Sequence, residues 1–335
     1  MNTRVALVGA GAFGRNHARL LAQMSGIEFV GIYDADPERG TAVAQEFGTK
    51  SVASLDEVIA SCDAAVVATP TTTHGTIATE LLERGIDVLV EKPIAATADE
   101  GARLDRLARE RGRVLQVGHL ERFNPAVQAL QGSLTIPLFF EVHRLSVFSP
   151  RSLDVDVVLD LMIHDLDIVL TSTGELPNEV RAAGISVLSP LVDIANVRLS
   201  FPSGCVANLT ASRISTEKVR KLRLFQPGEY ISVDYQRQDA IRLAVLPNEL
   251  SSDELGSNRK NQIGGGPLPV TPGEPLQLEL QAFLESVRNR TQPVVTAAQA
   301  VAALGVAEAI IAKIEEHTEI VKRTLGARKG TFPQS

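Results

Sequence analysis

The sequence of 335 residues holds only two cysteines, Cys62 and Cys205, far apart and outside any CxxC or Cys/His spacing, so neither a disulfide framework nor a zinc site is supported. Both read as small buried hydrophobes. Excess positive charge is also missing. With 33 Lys and Arg against 40 Asp and Glu, the net charge of −7 excludes bulk neutralisation of nucleic-acid phosphates. No apolar segment reads as long enough to span a membrane, and the run before Gly9 is too short for the core of a signal peptide. Cytoplasmic residence with no membrane partner is the expectation. Repeats and low-complexity tracts are absent too. What remains, 44% hydrophobic and 22% charged residues, is the composition of a globular protein, and its length exceeds what one hydrophobic core organises.

Two textures divide the chain. Up to about residue 119, short apolar runs (Arg4–Val8, Glu28–Tyr33, Ala64–Ala68, Val88–Val90, Val114–Val117) alternate with amphipathic stretches. That alternation predicts an α/β, doubly wound parallel sheet, a Rossmann domain over 1–119. Gly85 and Gly112 are placed as helix C-caps, and Thr97 as an N-cap before Asp99 and Glu100. Beyond residue 135 longer β-rich runs take over: Leu138–Phe148, Glu179–Leu188, Val192–Ser200, Val206–Ser212, Lys221–Leu224 and Tyr230–Asp234. They predict an α+β domain over 120–325 with a mainly antiparallel sheet, and one helix over Asp154–Thr173. Residues 250–275, polar and rich in Gly and Pro, read as a long loop, followed by helices over Leu276–Asn289 and Ala297–Glu316. After about Thr324 the chain reads as a frayed tail, with 326–335 outside both domains.

Gly9-Ala10-Gly11-Ala12-Phe13-Gly14 follows the first strand and opens a helical stretch. In that context the glycines supply a tight turn, close approach of backbone to a pyrophosphate, and helix packed on strand. Asp34 closes the second strand 20 residues after Gly14 (34 − 14), where a carboxylate accepts both ribose hydroxyls of an adenosine. It repels a 2′-phosphate and Ala35 offers none a partner, so NAD is expected rather than NADP. Asp36 reads instead as the N-cap of the next helix, and Arg39 is the one nearby cation that could approach a phosphate. Loops after the third and fourth strands, Thr69-Pro70-Thr71-Thr72-Thr73-His74 and Glu91-Lys92-Pro93, should line the cofactor crevice.

The segment DVDVVLDLMIHDLDIVL is too apolar for a surface helix, yet Asp156, Asp160, His164 and Asp167 fall on one narrow arc at about 100° per residue. A polar stripe on a buried helix requires hydrogen-bond partners or a ligand. Asp160 and His164, four apart, can pair so that the carboxylate orients the imidazole, which makes His164 a general-base candidate. With no second histidine nearby, no metal site is expected. Arg144 and Arg151, just before this helix, could meet a diphosphate; His119, Glu121 and Asn124 are further candidates for substrate contact.

Read together, GAGAFGRNH, ATPTTTH, EKP and DLMIHDLD resemble the glucose–fructose oxidoreductase/inositol dehydrogenase/MocA (Gfo/Idh/MocA) oxidoreductases over nearly the whole chain. The resemblance implies Lys92, Asp160 and His164 as catalytic trio and a C-terminal domain with an open-faced sheet used for homodimers or homotetramers. Gly118-His119-Leu120-Glu121-Arg122-Phe123-Asn124-Pro125 and the Asp156–Asp167 helix look like the branch that oxidises the 3-hydroxyl of UDP-N-acetylglucosamine to a 3-keto sugar for amino-sugar synthesis. The commoner glycine-rich run before the catalytic Asp is replaced here by Val155–Leu159. Two other readings remain open: a dehydrogenase of a free sugar or inositol, and a sensor that binds the dinucleotide without chemistry. Retention of Lys92, Asp160 and His164 argues against the sensor.

Overall fold

Short apolar strands crossing over through amphipathic helices build one parallel sheet: β1 (Thr3–Val8), β2 (Ile27–Tyr33), β3 (Ser51–Val52), β4 (Ala64–Val67), β5 (Asp87–Glu91) and β6 (Leu115–Gly118). Their order is β3-β2-β1-β4-β5-β6, so the chain reverses direction of growth between β1 and β4, where open α/β sheets take ligands at the strand carboxyl ends. The crossovers are α1 (Ala12–Gln23), α2 (Pro37–Glu46), α3 (Leu55–Ser61), α4 (Thr71–Glu83) and α5 (Ala98–Glu110). The two-residue β3 carries too little periodicity to be read from sequence, so the expected third and fourth strands are β4 and β5. Helix boundaries follow the expected chemistry: the Asp36 carboxylate accepts from the N–H groups of Glu38 and Arg39, and the Thr97 hydroxyl from that of Glu100. The computed structural model describes residues 2–148, 155–246 and 262–328.

Packing divides the chain into two units, Met1–Phe123 with Gly273–Glu308, and Asn124–Pro272 with Ala309–Ser335. The second domain expected over 120–325 is therefore interrupted. Helix α8 (Pro275–Asn289) buries Leu276, Leu280, Phe283, Leu284 and Val287 in the same core as Val5, Leu7 and Leu89, which removes it from the C-terminal unit.

The second unit holds α6 (Pro125–Gln131) and an eight-stranded sheet of β7 (Phe139–Val147), β8 (Glu179–Ile185), β9 (Ile194–Ser200), β10 (Val206–Ser215), β11 (Val219–Gln226), β12 (Glu229–Asp234), β13 (Asp239–Leu246) and β14 (Gln262–Pro267). The order is β14-β13-β12-β11-β7-β10-β9-β8, antiparallel except for the parallel pair β7 and β10. Residues 262–267 correct the expectation of a loop over 250–275: three glycines there pair as an edge strand with β13, and Pro275 already opens α8. Asp154, the expected start of the helix, and positions 250–261 of the expected loop lie outside the described residues. One face of the sheet buries Phe140, Val142, Val197, Leu209, Leu222 and Leu224, while Phe139, Glu141, Asn196, Thr210 and Phe225 line the other, open face.

The last helix, α9 (Ala297–Arg328), runs four residues past Thr324, where a frayed tail was expected to begin. Over Ala297–Thr324 it is long and apolar enough to cross a membrane by composition alone, against the sequence expectation. Ala300, Ala303, Leu304 and Ala307, and further along Ile310 and Ile314, are buried, so these apolar positions serve protein cores, while Ile320 is exposed. Both cysteines are buried, and burial pushes the Cys62 thiol up to about 12 and the Cys205 thiol up to about 11. Neither is a thiolate near neutrality.

Candidate active site

The glycine turn between β1 and α1 has the steric signature of a backbone cradle. Gly9 holds φ +101°, and a Cβ there would lie 2.5 Å from the Ala68 carbonyl oxygen; a Cβ on Gly14 would lie 2.1 Å from that of Gly9. A Cβ on Gly11 would meet no atom within 4 Å among the described residues. Gly9 and Gly14 are therefore required by the fold, whereas the space before Gly11 suits a group approaching from outside. Gly11 caps α1 without a side-chain hydrogen bond and the first turn carries no acid, so the helix presents bare N–H donors and its positive end to a phosphate. Ala12 and Phe13 open this helix, and Phe13 is exposed. The residues fit a dinucleotide pyrophosphate.

Asp34 sits at the end of β2, almost buried. Its carboxylate accepts from the N–H of Ala10 (2.6 Å) and of Asp36 (2.8 Å), and from both Nε (3.1 Å) and Nη2 (2.6 Å) of Arg39. Burial alone would raise its pKa, but the Arg39 guanidinium and the two N–H donors outweigh that and hold it below the usual carboxylate range. The carboxylate is charged and aimed, with Arg39 lying over it half exposed.

The β4–α4 and β5 ends are tied together. Thr69 follows β4, Pro70 caps α4, and Thr71 to His74 already belong to that helix rather than to a loop. The His74 ring is buried, with Nδ1 2.8 Å from the carbonyl oxygen of Pro93 and Nε2 2.9 Å from that of Thr69. Its ring nitrogens thus engage backbone on both sides, holding the segment that contains Lys92. The Lys92–Pro93 peptide is cis and Lys92 is partly buried. Glu91, at the end of β5, meets Nε2 of His17 on α1 at 2.7 Å. His17 was not singled out from sequence; its place three residues after Gly14 was the available signal.

In the second unit the polar stripe is real but interrupted. Val158–Met162 forms a π-helical turn that runs into α7 (Ile163–Thr173), a feature frequent at functional sites. Asp156, Asp160 and His164 are partly buried, whereas Asp167, expected beside them, is fully so. Burial pushes the Asp156 carboxyl up. Asp165, outside the expected stripe, takes Arg144 in a two-pronged ion pair at 2.7 and 2.8 Å, and the Arg144 guanidinium lies 5.0 Å from the centre of the Tyr235 ring. Arg144 is 1% exposed, so the expectation that it meets a diphosphate gives way to a structural role. Arg151 lies outside the described residues.

Asn124 is likewise engaged. It caps α6 through the N–H of Ala126 and donates to the carbonyl of Tyr235 at 3.0 Å. His119 and Glu121 are buried as well. Sequence reading also passed over Arg213, buried, which donates to the Val155 carbonyl beside Asp156 and faces Asp193 at 3.8 Å.

Residues 3–119 match the model of the oxidoreductase family with an NAD-binding Rossmann fold, and residues 139–226 that of the GFO/IDH/MocA C-terminal domain. The chain is 39% identical over 236 residues to UDP-N-acetylglucosamine 3-dehydrogenase of Acidithiobacillus ferrooxidans, covering 70% of this chain and 75% of that one. A solved structure of that enzyme superposes with a TM-score of 0.87 at 31% identity, over 95% of this chain and 99% of the other. The scyllo-inositol 2-dehydrogenase (NAD(+)) of Bacillus subtilis is 27% identical, over 88% of each chain.

Proposed function

The chain belongs to the Gfo/Idh/MocA oxidoreductases, and on that premise we propose that it oxidises the 3-hydroxyl of a UDP-N-acetylhexosamine, UDP-N-acetylglucosamine first, to the 3-keto sugar with NAD. The observation that carries the substrate is the similarity to the A. ferrooxidans enzyme over nearly the whole fold. NAD over NADP rests on the charged Asp34 carboxylate at the ribose end. Gly11, Ala12 and Phe13 would hold the pyrophosphate and Asp34 the adenosine ribose. NAD, when bound, supplies the hydride acceptor.

The chain's own residues then divide the proton work. His164 accepts the hydroxyl proton as the carbon–hydrogen bond breaks, Asp160 orients its ring, and the Lys92 ammonium hydrogen-bonds the oxygen on which negative charge develops. Thr69, Pro70, Thr71 and Glu91 would border the nicotinamide end. The aromatic strip of exposed Phe225 with half-buried Phe139 and Tyr230 on the open sheet is the expected surface for a homodimer or homotetramer.

A panel assay tests the substrate. NADH absorbance is followed with UDP-hexosamines, UDP-hexoses and free polyols, each with NAD and with NADP. Turnover is expected with UDP-N-acetylglucosamine and NAD. Turnover with inositol or glucose alone would favour the free-polyol reading and overturn this one.

A further inference from the structure

Behind Lys92, inside the first unit, three ionisable side chains from three elements converge. His17 comes from α1, Glu91 from β5 and Glu279 from α8, and one ligand-type atom of each lies within 4.8 Å of the others, all buried. The Glu279 residue is 0% exposed, and among the described residues neither of its carboxylate oxygens has a hydrogen-bond partner; nor does Nδ1 of His17. Its backbone is anchored, since Nε2 of Gln116 on β6 donates to the Glu279 carbonyl at 3.1 Å. Gly118, paired with Glu91 across the sheet, leaves room for the acid: a Cβ there would sit 2.8 Å from Glu91 Oε2. Lys92 is the next residue along the chain.

Two ionised carboxylates beside a neutral histidine would put a charge of −2 in a buried site, which costs several kcal/mol for each unpaired ion. One proton on Glu279 removes one of the two charges, and the 2.7 Å contact with Nε2 of His17 gives the Glu91 carboxylate a hydrogen-bond partner. We propose that His17, Glu91 and Glu279 form one electrostatically coupled cluster, with Glu279 as the neutral acid beside the hydrogen-bonded His17 and Glu91, and that through Glu91 it positions Lys92. Burial pushes the Glu279 carboxyl well above the usual range, and the neighbouring Glu91 charge adds to the rise. A divalent cation would neutralise the same groups, but the 2.7 Å contact is a hydrogen-bond distance, shorter than two ligands about 2.0–2.2 Å from a tetrahedral ion keep between them. Because His17 lies in the helix that faces the pyrophosphate, the cluster links the cofactor end of α1 to the lysine.

The role given to Lys92 rests on the proposed function, so the test reads the cluster separately. Infrared difference spectra of wild type and Glu279→Gln at neutral pH are expected to show one protonated-carboxyl band lost in the variant. In wild type that band should persist above the usual carboxylate range and fade only on alkaline titration. In the assay, Glu279→Leu should lower kcat roughly tenfold or more with the KM for NAD within about twofold, as for a misplaced reacting group. Glu279→Gln should recover kcat at neutral pH and lose the alkaline fall of the wild-type profile. The absence of the infrared band, a Gln variant as impaired as the Leu variant, or stoichiometric divalent metal that disappears in Glu279→Gln would each overturn the proposal. If Glu279→Leu does not fold, the infrared comparison decides alone. Retained turnover in Lys92→Met would instead sink the role of Lys92 while leaving the infrared result to stand or fall by itself.

Discussion

His164 and Lys92 are both partly buried, and both stand at the ends of well-packed segments: Lys92 after the fully buried run of β5, His164 just before the buried residues Asp165–Leu170 of its helix. That placement fixes backbone while leaving each side chain partly accessible, which suits groups that must meet a substrate atom. His164→Asn keeps the size and polarity of the ring but removes the base. It should lower kcat by about 10²–10⁴-fold, the usual worth of a positioned proton acceptor, with NAD affinity by fluorescence titration nearly unchanged. Activity equal to wild type would remove His164 from the role. His74 shows the opposite arrangement, a histidine whose ring is enclosed between two backbone carbonyls and braces loops instead of facing a ligand.

At the scale of elements, the loop between β8 and β9 is organised by one carboxylate. Asp193 accepts from the N–H groups of Val187 (2.7 Å), Leu188 (2.6 Å) and Ser189 (3.0 Å) and from the Ser189 hydroxyl (2.6 Å). Burial alone would raise its pKa, but these donors bring it down to about 2. Its folded-state value thus lies below the unfolded one, so its stabilisation is present above about pH 4 and is lost as pH falls toward about 2. Asp193→Asn should cost roughly 1–3 kcal/mol in denaturant unfolding at neutral pH, and the difference from wild type should shrink in acid. A constant difference across that window would contradict the assignment. The same scale shows what was legible in the sequence. Elements with strong periodicity and capping residues, such as α5 behind Thr97, came through because local chemistry decides them. The edge strand at 262–267 did not, since Gly-Gly-Gly has no side-chain pattern and only pairing with β13 makes it a strand. Arg144 misled for a related reason: a lone arginine before a polar helix has the same local context whether it faces a ligand or, as here, Asp165. Glu279 and His17 were invisible because they lie 262 residues apart (279 − 17), and only the return of α8 to the first core brings them together.

For the whole molecule, the Rossmann unit and the α+β unit each supply a distinct part of the proposed chemistry, the former the dinucleotide cradle with Lys92, the latter Asp160 and His164. Dinucleotide binding follows from the glycine turn and Asp34 with few assumptions, and the family membership makes it an oxidoreductase. The identity of the carbon that gives up hydride is the claim most exposed to test. It is measured by turning over UDP-N-acetylglucosamine deuterated only at C3 and weighing the nicotinamide product by mass spectrometry. One deuterium is expected in each reduced dinucleotide formed; unlabelled reduced dinucleotide, formed at full rate, would rule out C3 as the hydride donor.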